Sequence, residues 1–168
     1  MITAGFSVRR IEESDLDAMY DLFEAVAEER RWIGTEPPIE REERRRHALA
    51  IIADESKGAF FVAVDDEGRL IGNLGLMVEP YGVADMGMMV AEDWRSRGVG
   101  SALLDAAIAW ARTMPVHKIS LQVWPHNEGA RALYRKFGFE EEGVLRRHYR
   151  RRSGEIWDAV CMGLLLDE

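Results

Sequence analysis

The chain has little cysteine and no long hydrophobic run. Cys161 is the only thiol among the 168 residues, so no intrachain disulfide can form and nothing in the cysteine content indicates an oxidising compartment. No segment approaches the roughly 20 apolar residues of a membrane-spanning helix, and the first residues lack the basic and apolar regions of a secretory signal. We therefore expect a soluble, cytoplasmic protein that does not bind membranes.

Positive charge is also scarce. The chain has 22 Lys and Arg against 30 Asp and Glu, a formal net charge of −8, which argues against general nucleic-acid binding. One segment, residues 146–152, is strongly basic. It fits either a solvated turn or a binding site for an acidic group on a substrate or partner. The four histidines do not pair with cysteine or carboxylates at metal-ligand spacings, so we expect no metal site.

Length and periodicity predict one α/β domain over residues 1–168, because 47% apolar composition is enough for one core of ordinary size. Ser14 is a candidate N-cap for a first helix. We expect the segment 33–38, which contains a glycine and two prolines, to terminate that helix. The predicted order is βααβββαβαββ. Its further helices lie at about 39–53, 98–113 and 127–137, and its strands at 6–11, 59–64, 69–78, 83–91, 116–123, 139–149 and 156–166.

The segment 88–104 is typical of a phosphate cradle, since an apolar strand leads through a short turn into a helix that begins at glycines. Backbone N–H groups in the first helical turn lack intrahelical partners and favour an anion, and Gly98 and Gly100 let a pyrophosphate come close. A P-loop would need a lysine after Gly100, which is absent. A dinucleotide fold would need a third glycine at Leu103 and an early position in the chain.

Two motifs stand out in the second half of the chain. The first is Arg95-x-x-Gly98-x-Gly100, and the second runs from Asn127 through Ala130 and Tyr134 to a Phe-Gly-Phe at 137–139. Both resemble motifs of the GCN5-related N-acetyltransferases, and the first is similar to the acetyl-CoA-binding pattern of that family. Asn127 and Tyr134 are two helical turns apart, so both side chains can address one ligand.

The tail, with Gly-Glu-x-x-Asp-x-x-x-Met at 154–162, resembles family members that act on free amino acids, small amines or ribosomal-protein N-termini. The resemblance implies a mixed, mostly antiparallel central sheet that splays between its fourth and fifth strands. It implies acetyl-CoA as cosubstrate and no metal. Homodimers are common in the family, but the sequence identifies no interface. The implied cofactor-binding residues are Met88, Met89, Val90, Arg95, Ser96, Arg97, Gly98, Val99, Gly100, Ser101, Asn127, Ala130 and Tyr134.

Acyl transfer to an amine needs a neutral amine and a proton for the departing thiolate. Tyr134 is the candidate acid, because the pKa of a phenol lies close to that of a thiol. Some relatives carry a Glu base on the strand that enters the site; measured back from Arg95, that position is Ala84. Asp85 is the neighbouring candidate base, although an offset of one residue turns a strand side chain to the other face unless a bulge intervenes.

Glu36, Glu155 and Asp158 are the carboxylates that we expect to bind the substrate ammonium, and an arginine of the 146–152 segment could bind a substrate carboxylate. The resemblance therefore implies direct acetyl transfer from acetyl-CoA to a primary amine, with a free amino acid or similar small amine as the first candidate. A protein N-terminus is the second candidate acceptor. A CoA-binding sensor module without turnover is the alternative from another class.

Overall fold

A computed structural model describes residues 5–166. The observed order of elements is the predicted one, βααβββαβαββ. The helices are α1 (Leu16–Glu28), α2 (Arg41–Ala53), α3 (Val99–Ala111) and α4 (Glu128–Lys136). The strands are β1 (Phe6–Arg10), β2 (Gly58–Asp65), β3 (Leu70–Val78), β4 (Val83–Val90), β5 (Lys118–Val123), β6 (Glu140–Arg150) and β7 (Ile156–Leu165).

The seven strands form one sheet in the order β1-β2-β3-β4-β5-β7-β6. Every neighbouring pair is antiparallel except β4 and β5, which run parallel. That parallel pairing covers only Val83–Asp85 against Lys118–Ser120, so the remainder of β4 has no strand partner on this side among residues 5–166. The predicted splay between the fourth and fifth strands is confirmed.

The first helix begins differently from the prediction. Ser14 is not its N-cap; it lies inside a 3₁₀ turn, Glu13–Asp15, that precedes α1. The Asp15 carboxylate accepts the Glu12 N–H at 2.8 Å and also pairs with Arg9 at 2.7 Å. The Asp15 carboxylate, which accepts the backbone N–H three residues earlier, therefore does the capping that was predicted for the Ser14 hydroxyl.

The helices cover both faces of the sheet. Successive residues of a strand point to opposite faces of the sheet, so Gly72 and Asn73 lie on opposite faces of β3. A Cβ built on Gly72 would lie 2.9 Å from Val99 of α3, so α3 packs on that face. On the other face, Met77 Sδ lies 3.1 Å from His47 Nε2 of α2.

Side chains that are completely buried form the core between these layers, among them Leu16, Val62, Leu74, Leu103 and Ile119. Burial of each such aliphatic side chain contributes roughly 1.5–3 kcal/mol. Among the helices of residues 5–166, none has both the length and the apolar character needed to cross a membrane.

Candidate active site

A cleft of about 1380 Å³ crosses the sheet where β4 and β5 separate. One end of the cleft lies at the beginning of α3 and along α4, with Gly98, Ser101 and Asn127 in its wall. The other end lies between α2 and the sheet, with Arg44, Asn73 and Asp85 in its wall, and we call it the α2-side compartment. The opening in the sheet thus connects the glycine-rich loop with a polar compartment on the opposite face.

The loop before α3 is shaped to hold an anion. Ser96 has a φ of 59° and Gly98, the N-cap of α3, has a φ of 88°. A Cβ built on Gly98 would meet no atom within 4 Å, so the space above the first N–H groups of the helix is open. Both motif glycines line the cleft, and this cradle fits the pyrophosphate of a coenzyme A molecule.

The backbone of β4 presents hydrogen-bonding groups to the splay. Ala91 N–H donates to Ile71 O at 2.8 Å across the β3 side. Alternate residues of an antiparallel strand point their backbone groups in opposite directions, so the groups of Met88 and Val90 face the opening. An extended amide arm can add there as a strand would. Met88 and Met89 also line the cleft, and Met89 is buried in the core.

Two motif arginines use their side chains within the protein. Arg95 donates from Nε to Val90 O at 3.1 Å, and its terminal nitrogens lie 2.8 and 2.7 Å from the Glu29 carboxylate oxygens. The Arg97 guanidinium lies 3.9 Å from the centre of the Trp94 ring. Both side chains therefore brace the loop, and the open N–H groups remain the feature that suits a phosphate.

Asn127 opens α4 as its N-cap, and its Oδ1 accepts the Ala130 N–H at 3.3 Å. The residue also lines the cleft, as Ala130 does. The two interpretations of Asn127, helix cap and cofactor contact, are thus compatible, because the cap uses the amide oxygen. Its role toward the cofactor stays a prediction.

Tyr134 lies on α4 with its side chain in the cleft wall, and only 6% of the residue is exposed. Its ring packs against Phe139 with the centroids 5.6 Å apart. Burial raises the pKa of Tyr134 to about 12, because a phenolate would lose its hydration there. The hydroxyl is therefore protonated at neutral pH, as a proton donor must be.

Asp85 faces the cleft, whereas Ala84 is completely buried on the opposite face of β4. The strand has regular register here, with Asp85 opposite Met77, so no bulge is needed to bring Asp85 into the site. Burial, followed by the charge of Glu79, raises the pKa of Asp85, and hydrogen bonding from Ser120 opposes the rise. A carboxylate with a raised pKa in a cleft suits a base.

The structure does not bring the three other predicted carboxylates to the cleft wall. Glu36 accepts the Arg152 N–H at 2.9 Å and lies 3.8 Å from Arg151 Nε. Asp158 accepts the Arg147 N–H at 2.6 Å. Glu155 accepts from Trp157 Nε1 at 2.9 Å. Glu36 and Glu155 make these contacts at the end of the β6–β7 hairpin, and Asp158 makes its contact where the register of the two strands shifts. Their assignment as substrate ligands stays a prediction.

The arginines of the basic 146–152 segment differ in burial: one is buried and the others are exposed. Arg151 is 5% exposed and stacks on Trp157 and Trp124, with its guanidinium carbon 4.4 and 5.2 Å from the two ring centres. It also donates to Gly34 O at 2.9 Å. Its four arginine neighbours in this segment are exposed. Arg151 could not be singled out from the sequence, since packing against two tryptophans depends on the tertiary fold.

Sequence reasoning missed several residues of the α2-side compartment. Arg44 and His47 come from the charged α2, and Asn73 and Gly87 come from the middle of β3 and β4. The available signal was a polar residue, Asn73, inside an otherwise apolar strand. Arg44 is held over Phe23 with 4.7 Å between its guanidinium carbon and the ring centre, and it donates to Thr35 Oγ1 at 3.1 Å.

Comparison with known proteins shows relatives in sequence and in structure. An L-amino acid N-acetyltransferase, AaaT, from Escherichia coli (strain K12) is 38% identical over 104 residues, which are 57% of this chain and 62% of that protein. A ribosomal-protein-alanine N-acetyltransferase from Brucella melitensis superposes with a TM-score of 0.86 at 25% identity, covering 95% of this chain and 99% of the other.

A further structure was solved in complex with acetyl-CoA. It is a GNAT superfamily phosphinothricin acetyltransferase (Pat) from Sinorhizobium meliloti, with a TM-score of 0.83 at 19% identity over 98% of this chain and 90% of the other. The sequence itself matches the acetyltransferase (GNAT) family over residues 16–139. That range runs from the first residue of α1 through the cradle and Tyr134, and the chain therefore belongs to the acetyltransferase (GNAT) family.

Proposed function

We propose that this protein is an N-acetyltransferase that moves an acetyl group from acetyl-CoA to the primary amine of a free amino acid or similarly small amine. The observation that carries the acceptor class is the charge of the α2-side compartment, where the wall bears the carboxylates of Asp85, Glu40 and Glu43 together with the Arg44 guanidinium. A zwitterionic amino acid carries the matching pair of charges. The similarity to AaaT supports the same class.

The cosubstrate fits the other end of the cleft. The N–H groups that begin α3 hold the pyrophosphate, and the backbone of Met88 and Val90 pairs with the extended arm. When bound, acetyl-CoA supplies a thioester whose carbonyl carbon accepts the amine. The Val90 N–H polarises that carbonyl, a role that its direction toward the splay supports.

Asp85 accepts a proton from the amine and Tyr134 donates one to the leaving thiolate. Asp85 takes a proton from the ammonium through intervening water, because the thioester carbonyl at Val90 lies five residues along β4 from Asp85. The transfer leaves the nitrogen with a lone pair. The C–N bond forms as the C–S bond breaks, and the Tyr134 hydroxyl gives its proton to the departing sulfur. The second proton lost by the nitrogen returns the phenolate to phenol, so the products are an N-acetyl amine and the free thiol of CoA.

The first experiment is a thiol-release assay with acetyl-CoA against free amino acids, polyamines and peptides with free N-termini. Turnover of free amino acids supports the proposal. Turnover of N-terminal peptides alone would assign the protein to the other acceptor class, to which the similar Brucella melitensis enzyme belongs by name. Absence of turnover with all three classes would contradict catalysis.

Tyr134→Phe separates an enzyme from a binding module. The ring and its contact with Phe139 remain, so cofactor affinity measured by calorimetry should not change, while kcat should fall about a hundredfold or more. Tyr81→Phe is the matched control, because Tyr81 is 69% exposed and lies outside the cleft wall. Equal activity of the Tyr134 variant and the parent would remove Tyr134 from the mechanism.

A further inference from the structure

Asn73 is the polar residue of β3 that the mechanism above does not use. The residue is 7% exposed and lies in the wall of the cleft. Its Oδ1 is buried and has no hydrogen-bond partner among the described residues. A buried polar atom without a hydrogen-bond partner is unfavourable, so Oδ1 favours a ligand group that can donate a hydrogen bond to it.

The neighbours of Asn73 across the sheet do not supply a hydrogen bond to its Oδ1. Asn73 lies opposite Val62 of β2 and Met89 of β4, and directly opposed residues share one face. Apolar side chains therefore flank the amide on both sides. A terminal amide rotates readily about its last torsion, so Asn73 can turn either its oxygen or its N–H groups toward the cleft.

The register also places Asn73 relative to Asp85. Asp85 lies four residues before Met89 on β4 and on the same face, a distance of about 13 Å along the strand. One small nitrogen cannot contact both side chains directly at that spacing. Gly87 lies between them, and a Cβ built there would meet nothing within 4 Å, so the space between Asp85 and Asn73 is open.

We propose that Asn73 determines acceptor specificity: its carboxamide hydrogen-bonds a hydroxyl or carboxamide of an acceptor that lies over Gly87. The inference rests on the proposed function. It implies that the preferred amino acids carry a polar side-chain group close to the amine, because that group supplies the partner that the amide lacks. A site built to hydrogen-bond a polar group discriminates against the analogue that lacks it, since its own amide is then left unpaired.

The test compares acceptors of equal shape, threonine against valine and asparagine against leucine. The parent should favour the polar member of each pair in kcat/KM by about tenfold or more. In Asn73→Leu the preference should disappear or reverse, with the KM for acetyl-CoA unchanged. Asn73→Asp retains an oxygen acceptor and should retain the preference for threonine. Asn73→Leu should be at least as resistant to thermal unfolding as the parent.

The outcomes separate the inference from the proposed function. Calorimetric titration of threonine and valine into the protein with CoA measures acceptor binding without turnover. Selective threonine binding with no acetylation would contradict the proposed function and support the inference. Acetylation of both amino acids with equal kcat/KM, or the same ratio in the parent and in Asn73→Leu, would overturn the inference alone. Absence of binding by either amino acid would overturn the inference, while the proposed function would still be decided by turnover of the other amino acids and small amines in the thiol-release assay.

Discussion

Arg95 and Glu29 form a bidentate ion pair that joins the loop before α3 to the end of α1. The two terminal guanidinium nitrogens lie 2.8 and 2.7 Å from the two carboxylate oxygens. The same guanidinium donates from Nε to Val90 O at 3.1 Å. A single side chain therefore connects the first helix, the last residue of β4 and the cradle, and both partners are largely shielded, with side-chain exposures of 30% and 25%.

Glu29→Gln should reduce the stability of the protein at neutral pH. The hydrogen bonds from Arg95, and to a smaller extent the one from Trp32, hold the pKa of Glu29 below its usual value. The stabilisation is therefore present above the unfolded-state pKa of about 4.3 and is lost as the pH falls through the lower, folded-state pKa. We expect a loss of about 1 kcal/mol at pH 7, measured by urea unfolding, that shrinks toward acid.

Asp93→Asn is the control for this prediction. Asp93 makes the same two-pronged contact with Arg69, at 2.9 and 2.8 Å, but both side chains are more than half exposed. Solvent screening makes such a pair weak, so its loss should change stability much less. Equal losses in the two variants would show that shielding of the Glu29 pair has no consequence.

Gly98→Ala should weaken acetyl-CoA binding beyond any effect on folding. The residue has a φ of 88°, which costs an L-residue roughly 1–2 kcal/mol, and the added methyl group would enter the space above the α3 N–H groups. Gly68→Ala is a close control, because Gly68 has a φ of 85° and equally open surroundings in the β2–β3 turn. Both variants should lose similar stability, and only Gly98→Ala should raise the KM for acetyl-CoA, by about tenfold or more.

The cofactor end of the cleft could be predicted from the sequence because its determinants are local. Gly98 and Gly100 lie within one turn and helix start, and Asn127 and Tyr134 lie two turns apart on one helix. Strand and helix positions follow from periodicity over similarly short distances. The splay between β4 and β5 was implied by family resemblance, and the short parallel pairing confirms it.

The acceptor end could not be predicted because it depends on contacts between distant segments. Arg44 and Asn73 line one cleft only after α2 packs on the sheet, and in the sequence each looks like an ordinary surface or strand residue. The choice between Ala84 and Asp85 depends on the face of one strand, which a count from Arg95 does not give. Glu36 was expected at the substrate, but it is held by Arg151 and Arg152, more than 100 residues away.

Asp85→Asn should lower kcat/KM for the acceptor about a hundredfold, since the amide cannot take a proton. Burial and the negative charge of Glu79 raise the pKa of Asp85, so the acid limb of the parent's pH profile should lie above the ordinary aspartate range. Glu79→Gln removes the like charge and should move that limb to lower pH. Asp105→Asn, an exposed change on α3, should leave the profile unchanged, and a profile that Asp85→Asn leaves intact would require another base.

Gly87→Val should close the α2-side compartment to the acceptor while leaving the cosubstrate end open. The side chain would extend from the middle of β4 into space where a built Cβ meets no atom within 4 Å, so folding should be little affected, and valine suits a strand. Steady-state kinetics should show the KM for the amine raised about tenfold or more, with calorimetric affinity for acetyl-CoA unchanged. Gly143→Val adds the same side chain to β6, also without a neighbour within 4 Å, and should behave as the parent. If Gly87→Val instead weakened acetyl-CoA binding and spared the amine, the positions of the two substrates in the cleft would have to be exchanged.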